Sequence, residues 1–456
     1  MRRFIVVMLM WYSASVCLAS DITRDELIRW LAKLPEQGIE VSPKHWLVLS
    51  QNPSPQDIQA IAREYAGYID RGQLNKQYYQ PGWTIADQPV LNNSPISSQS
   101  FKTVQSKIPA YPLLIKALAN LRHWRQQAAH LFPDDLILFE GDEHPAVGRL
   151  NQWLEDLDLA HGLPEQAYSQ KHKDVLTDVQ LKYELMPDGR LGALTRQALL
   201  SITNQRIRTL KANLERIRWL PRELPYPHIQ VDIPGYAVGY VTAPLKVQRH
   251  KAIIGSRQRQ TPIFQDEVES VTINPVWKVP HSIAARNMLR AEKKEPGFFR
   301  KEGFKVYKSW DDHAPEVQPE SVNWQALTPR TFLYRLEQQP GELNRLGKLK
   351  LDLPNSHGVY LHDTNKPELF EKTERSLSSG CTRVRGIDLL VRRIALEQGV
   401  AQSFHQHMAS SETQKLKLKQ EVPIYFMYFT AWPDDNGRVR FREDIYKLDN
   451  ALTSRF

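Results

Sequence analysis

The chain opens with Met1-Arg2-Arg3, an apolar run from Phe4 to Tyr12 and a small-residue stretch ending Cys17-Leu18-Ala19. This is the layout of a cleaved secretory leader over residues 1–19, with the mature chain starting near Ser20. No later stretch offers the roughly 20 consecutive apolar residues that a spanning helix needs. Residues 20–142 read as a helical scaffold, with apolar positions at Leu27, Trp30 and Leu31 and at Ile115, Leu118, Leu121 and Trp124, the three-and-four spacing of one helix face. Pro81–Ser106, rich in Pro, Asn, Ser and Gln, reads as a long loop. Three helices are predicted in 143–204: one carrying Val147, Leu150, Leu154 and Leu157, one near Val175–Tyr183, and one from Leu191 through Leu199 after the Pro187-Asp188-Gly189 turn. A separate stripe at Ile207, Leu210, Leu214 and Ile217 predicts another helix, stopped by Pro221.

Beyond residue 222 the period falls from about 3.6 to 2, the strand spacing. His228–Ile233 alternates, and Tyr236–Val241, Ala252–Gly255 and Val271–Ile273 are rich in strand formers. Residues 281 to about 330 turn charged and helical before strands resume, which predicts an insertion folding as a cap. The predicted fold class is multidomain α+β: a helical N-terminal scaffold, a three-helix domain, and a mostly β domain over 205–456 with a helical cap insertion.

Charge adds little, and cysteine adds more. The formal charge is +9, and removing Arg2 and Arg3 leaves 58 basic against 51 acidic residues. That mild excess suits polyanionic surroundings such as a wall bearing free carboxylates. It does not point to nucleic acid, because no Lys/Arg block or zinc-finger spacing is present and a secretory leader removes the opportunity. Of two cysteines, Cys17 lies in the leader, so the mature chain has one thiol, Cys381. An unpaired thiol in an oxidising compartment is a liability that calls for a reason.

That reason lies in Tyr360-Leu361-His362-Asp363-Thr364 followed by Ser378-Ser379-Gly380-Cys381-Thr382-Arg383-Val384. A thiol becomes a nucleophile when a base takes its proton, and His362 is the base of suitable pKa. Gly380 permits close approach of substrate, and the amides around Gly380 and Cys381 suit an oxyanion, with Ser379 beside them. Arg383, two residues on, shares a strand face with Cys381 and could favour thiolate or hold a substrate carboxylate. Tyr360 shares a face with His362 and either shapes the site or simply packs there. Three competing readings are weaker. A buried inert Cys381 ignores the motif; a zinc site from His357, His362, Asp363 and Cys381 lacks the usual ligand spacing. A serine nucleophile at Ser378 or Ser379 lacks the Gly-x-Ser-x-Gly turn.

Cys381 follows His362 by 19 positions, and the pair resembles the active-site signature of the L,D-transpeptidases. The resemblance extends to Asn213-Leu214-Glu215-Arg216, Trp219-Leu220-Pro221, Thr261-Pro262, Ile273-Asn274-Pro275, Trp277, Asn344 and Pro354-Asn355, and it points to the large, cap-bearing branch of the family. Ser379 stands where the wider family often has His, and Arg383 where smaller members have Asn. Gln180, Asp188-Gly189, Gly192, Thr195 and Leu199 likewise resemble the three-helix peptidoglycan-binding domain, with Val179 and Glu184 departing from its pattern. The resemblance implies a periplasmic enzyme that needs no cofactor or metal. Its partners would be peptidoglycan stem peptides, a tetrapeptide as acyl donor and an amine as acceptor, with carbapenems as covalent inhibitors. Hydrolysis by a carboxypeptidase and attachment of an outer-membrane lipoprotein are alternatives by the same chemistry.

Overall fold

The computed structural model describes residues 21–455; the expected leader lies outside them. Of the N-terminal helices Arg24–Lys33, Pro43–Ser50 and Pro55–Arg71, the first and third begin at side-chain caps and the second at a proline in its first turn. Thr23 with Glu26 and Ser54 with Asp57 form reciprocal capping boxes that satisfy otherwise orphaned amides. Their apolar faces, including Leu27, Leu31, Ile61 and Tyr65, close a core that runs only from Ile22 to Val104.

The scaffold predicted over 20–142 is therefore not one unit. Its last long helix, Ala110–Leu131, buries Leu114, Leu118 and Leu121 in the main core of the molecule. The segment read as a loop contains a short helix, Ser98–Thr103, and anchors the scaffold: Trp83 is fully buried, and the Thr84 amide donates to the Ile263 carbonyl (3.0 Å).

Helices Ala146–Asp156 and Gln170–Lys182 lie where the periodicity placed them. The next two predicted helices are one, Ala193–Arg218, of 26 residues. Nothing between Leu199 and Ile207 breaks it, since Ser201, Thr203 and Asn204 lower helix propensity without removing a hydrogen bond. Its C-terminal end joins the domains. Asn213 exchanges two hydrogen bonds of 2.9 Å with Thr430, and Arg216 is paired with Asp449 at 2.6 Å. The fully buried Glu215 accepts from the Leu74 amide (2.5 Å) and pairs with Arg218 (3.3 Å).

In the last domain, strands β1 (His228–Asp232), β2 (Ala237–Ala243), β3 (Lys246–Gly255) and β4 (Gln265–Ile273) precede the cap. The cap holds β5 (Trp277–Lys278), β6 (Phe304–Tyr307), β7 (Glu316–Val317) and β8 (Arg335–Gln338). After it come β9 (Leu349–Asp352), β10 (Leu361–His362), β11 (Ser376–Ser378), β12 (Thr382–Val384) and β13 (Gln414–Met427), with a hairpin of β14 (Ala431–Pro433) and β15 (Val439–Phe441). The main sheet runs β11-β3-β12-β10-β9-β4-β13-β1-β2, and a further β2–β3 pairing closes it on itself. One face buries Ile229, Val231, Val271, Leu351, Leu361, Val384 and Ile424 together with the helix Ile387–Glu397. Side chains alternate, so the intervening residues, including Tyr360, His362, Cys381 and Arg383, stand on the other face.

The cap is larger than the predicted 281–330 and is not helical alone. Its four strands pair in the order β5-β8-β6-β7 and pack with the short helical segments between Pro280 and Lys301 around Trp277, Met288, Phe299, Trp324, Phe332 and Leu346. Asn344 closes its neck: buried completely, it donates to the carbonyls of Pro275 (2.8 Å), Gln338 and Gln339 (both 3.1 Å) and accepts from the Leu346 amide (2.8 Å).

Candidate active site

Two short parallel strands create the site. β10 and β12 pair with Leu361 opposite Thr382 and His362 opposite Arg383, and the Thr382 amide donates to the Tyr360 carbonyl (3.1 Å). The register sets Tyr360 beside Cys381 and His362 beside Arg383. On the other side of β10, β9 sets Lys350 opposite His362.

The turn into Cys381 is held from behind. Gly380 has φ +119°, a conformation that side chains other than hydrogen rarely adopt. Its amide donates to Ser378 Oγ (3.1 Å), and that hydroxyl donates to the Cys381 carbonyl (2.5 Å). The Gly380 carbonyl accepts from Thr261 Oγ1 (2.8 Å), and the Thr261 amide donates to Tyr446 Oη (3.1 Å). Expectation and structure part here: the Gly380 amide is already engaged, which leaves the Cys381 amide as the backbone donor of the turn. Ser379 is exposed, and its hydroxyl accepts from Arg259 (3.1 Å), whose other terminal nitrogen donates to Asn287 of the cap (2.7 Å).

Cys381 is half-buried and is the free cysteine of the described residues. Its Sγ lies 3.9 Å from the Gly358 carbonyl, on a loop pinned by Asn355, which donates to the Val359 carbonyl (2.7 Å) and accepts from the Val359 amide (3.1 Å). The amide and hydroxyl of Tyr360 lie against the thiol and, with the charges of Lys350 and Arg383, favour thiolate; burial outweighs them all and pushes the thiol's pKa up. The cationic environment expected around Cys381 is present, yet the resting group is a neutral thiol.

His362 is buried and forms no hydrogen bond to Cys381 among the described residues; its Nδ1 has no partner. Burial, then Arg383 and Lys350, lower its pKa to about 3, opposed by backbone groups of Asp363 and Leu346. The imidazole is neutral at physiological pH, the form in which a histidine can accept a proton. Tyr360 joins the strand to the cap: its ring packs against the cap core and lies 4.8 Å from Lys350 Nζ, and its hydroxyl meets the indole of Trp277 as well as the thiol. The expected face-sharing of Tyr360 with His362 holds, with ring centroids 5.5 Å apart.

Arg383 has no ion-pair partner among the described residues, and its buried Nε is unsatisfied. Burial and the nearby Arg345 lower its pKa. An unpaired guanidinium beside Cys381 suits an anionic ligand group. Sequence reasoning missed Lys350, whose ammonium pairs with Asp352 (2.8 Å), itself accepting from Ser270 (3.0 Å) and Thr272 (2.7 Å). The alternation of Leu349-Lys350-Leu351-Asp352 carries the signal, since it places both polar residues on one strand face. The residues of the zinc reading diverge: His357 is exposed against Phe264, and Asp363 accepts from the Lys348 amide (3.0 Å).

This geometry falls within residues 226–396, which match the family model of the YkuD L,D-transpeptidase catalytic domain. The chain carries an L,D-transpeptidase catalytic domain. A candidate L,D-transpeptidase of Haemophilus influenzae is 30% identical over 244 residues, covering 53% of this chain. The match spans about half the length of that relative, 48%. A crystal structure of an L,D-transpeptidase segment from Xylanimonas cellulosilytica aligns at 12% identity over 65% of this chain and 99% of that one, with a TM-score of 0.20. The motif residues outside the turn have mechanical work in this domain: Thr261 braces the Gly380 carbonyl, Asn355 fixes the loop facing Sγ, and Asn344 ties the L,D-transpeptidase cap to its base.

Proposed function

We propose that the protein is a periplasmic L,D-transpeptidase that cross-links peptidoglycan stems. The observation that carries this reading is the pairing of β10 with β12 inside the matched domain, which sets the one mature thiol beside Tyr360 and near a neutral, buried His362.

Cys381 transfers its proton toward His362 and attacks the carbonyl of the third-residue diamino acid of a tetrapeptide stem. The Cys381 amide and the Tyr360 hydroxyl are the donors placed to hold the oxyanion. Collapse expels D-Ala, which takes the proton from His362, and leaves a thioester on Sγ. The amine of a second stem, deprotonated by His362, attacks the thioester, forming an amide and restoring the thiol. Arg383 is unpaired and faces the same groove, where it would hold a stem carboxylate. The neutral resting pair has a consequence: the thiolate forms during the reaction instead of standing ready, so filling the site and expelling water are part of activation.

Intact-mass measurement tests the proposal. Protein incubated with a disaccharide-tetrapeptide should gain the donor mass less D-Ala, and digests should contain cross-links between two diamino acids. Cys381→Ala should show neither, and a carbapenem should add to the same cysteine on peptide mapping. Hydrolysed tripeptide as the sole product would assign a carboxypeptidase, and an adduct on another residue would displace Cys381.

A further inference from the structure

A cavity of about 1120 Å³ lies away from Cys381, on the wall of the closed sheet opposite β10. Its size exceeds the roughly 300–1,000 Å³ of sites for single small ligands. The floor is a row of side chains in register across three strands: Gln230 on β1, Tyr425 on β13 and Gln265 on β4. All three point away from the face that bears Ile229 and Ile424.

Polar side-chain groups of this floor lack hydrogen-bond partners among the described residues. Gln265 Oε1 is buried and unsatisfied. Tyr425 is 7% exposed and Trp432 8%, and neither the phenol nor the indole N–H bonds to a described residue. His228, 3% exposed, donates from Nδ1 to the Pro225 carbonyl (2.6 Å), which leaves Nε2 as an acceptor. A buried polar group left unpaired is costly, and the unbonded phenol, indole N–H and imidazole Nε2 belong to residues lining the same cavity as Gln265 Oε1, so together they point to a ligand that supplies the missing bonds.

The chemistry of that ligand follows from the mixture. Donors and acceptors alternate among aromatic surfaces, with Tyr226 at the mouth 42% exposed. Four of the six carboxylates lining the cavity have cationic partners, Asp435 with Arg249 (2.8 Å), Asp232 with Arg442 (2.8 Å), Glu223 with Lys107 (2.9 Å) and, more distantly, Asp434 with Arg440 (3.9 Å). Glu267, facing Glu421, and Asp266, whose Oδ2 is buried without a partner among the described residues, are not neutralised; they offer acceptors to hydroxyl groups and repel an anionic stem peptide. What fits is a neutral chain with hydroxyl and amide groups on rings that have apolar faces. We propose that this cleft binds the sugar strand of the wall polymer, a short run of β-linked N-acetylated hexosamines. The choice of sugar rests on the transpeptidase reading; the existence of a ligand site does not. The cleft would hold the strand while the stem peptide is handled elsewhere on the polymer, at the opposite wall.

The test is titration of the full chain with a linear β-1,4-linked N-acetylglucosamine tetramer, followed by calorimetry and tryptophan fluorescence. Saturable binding is expected. Tyr226→Ala, which removes a partly exposed ring at the mouth, and Gln265→Ala should each weaken it by roughly tenfold, about 1.4 kcal/mol. Absence of saturable binding overturns the proposal, as does binding that both variants leave unchanged. Spermine taking the cleft in place of the tetramer would make the acidic lip the recognition element and would also overturn it. Acylation of Cys381 by a sugar-free tetrapeptide is measured alongside on the same protein. Acylation without tetramer binding sinks the cleft alone, and tetramer binding without acylation sinks the transpeptidase reading alone.

Discussion

Replacing Tyr360 by Phe deletes one oxygen and leaves the packing of the ring on the cap. That oxygen meets both the thiol and Trp277, so its loss removes a hydrogen bond that favours thiolate while the burial that opposes thiolate remains. A hydrogen bond to a charged group contributes about 1.5–3 kcal/mol, and one pKa unit is about 1.4 kcal/mol. The thiol's pKa, already raised, should climb by roughly 1–2 units more. A more basic thiolate is also more nucleophilic, with a Brønsted slope of about 0.4–0.5. Alkylation at neutral pH should therefore slow by only about 3- to 16-fold, while the inflection of the pH–rate curve moves up by the full amount. The assay is iodoacetamide modification of Cys381 across pH, followed by intact mass. An inflection that stays in place or moves down would refute the assignment of the Tyr360 hydroxyl to the thiolate and leave the residue a packing role.

Other outcomes follow from the same geometry. His362→Gln should lower kcat/KM by roughly 10²–10⁴ through loss of the proton acceptor, measured with a tetrapeptide donor. Because the folded pKa of His362 is depressed from 6.5 to about 3, the unfolded chain binds the extra proton between those values, so stability falls as pH drops through that window, by up to about 1.4 kcal/mol per unit. His362→Gln should flatten that slope in denaturant titrations, and an unchanged slope would mean that the imidazole is not held neutral. Asn344→Ala leaves buried carbonyls at the cap neck without a donor and should destabilise by about 2–4 kcal/mol. Limited proteolysis should then cut within 277–346 before the rest of the chain, whereas uniform resistance would show that the neck is held by packing. Arg383→Ala should raise KM for a carboxylate-bearing donor more than it lowers kcat, and identical kinetics for the two proteins would return Arg383 to a structural role.

The local facts are written in the order of residues along the chain. Capping boxes start the first and third helices, two-residue alternation marks the strands, and the Ser-Ser-Gly-Cys turn with a histidine 19 positions earlier singles out the candidate site. These are legible because they depend on neighbours within a few residues or on rare residues in fixed order. What depends on contacts between distant segments was not legible. One helix spans Ala193–Arg218 because tertiary burial along its length overrides the weak helix formers at its middle. The Ala110–Leu131 helix leaves the scaffold for the main core because its apolar face finds the long helix and the catalytic domain there, and periodicity states that a face is buried without saying against what. The cap extends to Trp277 and Leu346 because Asn344 draws residues some 70 positions apart into one neck. The site shows the same division. Residue types pointed to a cysteine with a candidate base, but only the fold set burial above the pull of Lys350 and Arg383, engaged the Gly380 amide with Ser378, and put Tyr360 against the thiol. The cause is that a pKa and a free hydrogen-bond donor are properties of the space around a group, and that space is built by β9, β10, β12 and the cap, whose order in the chain does not reveal their adjacency.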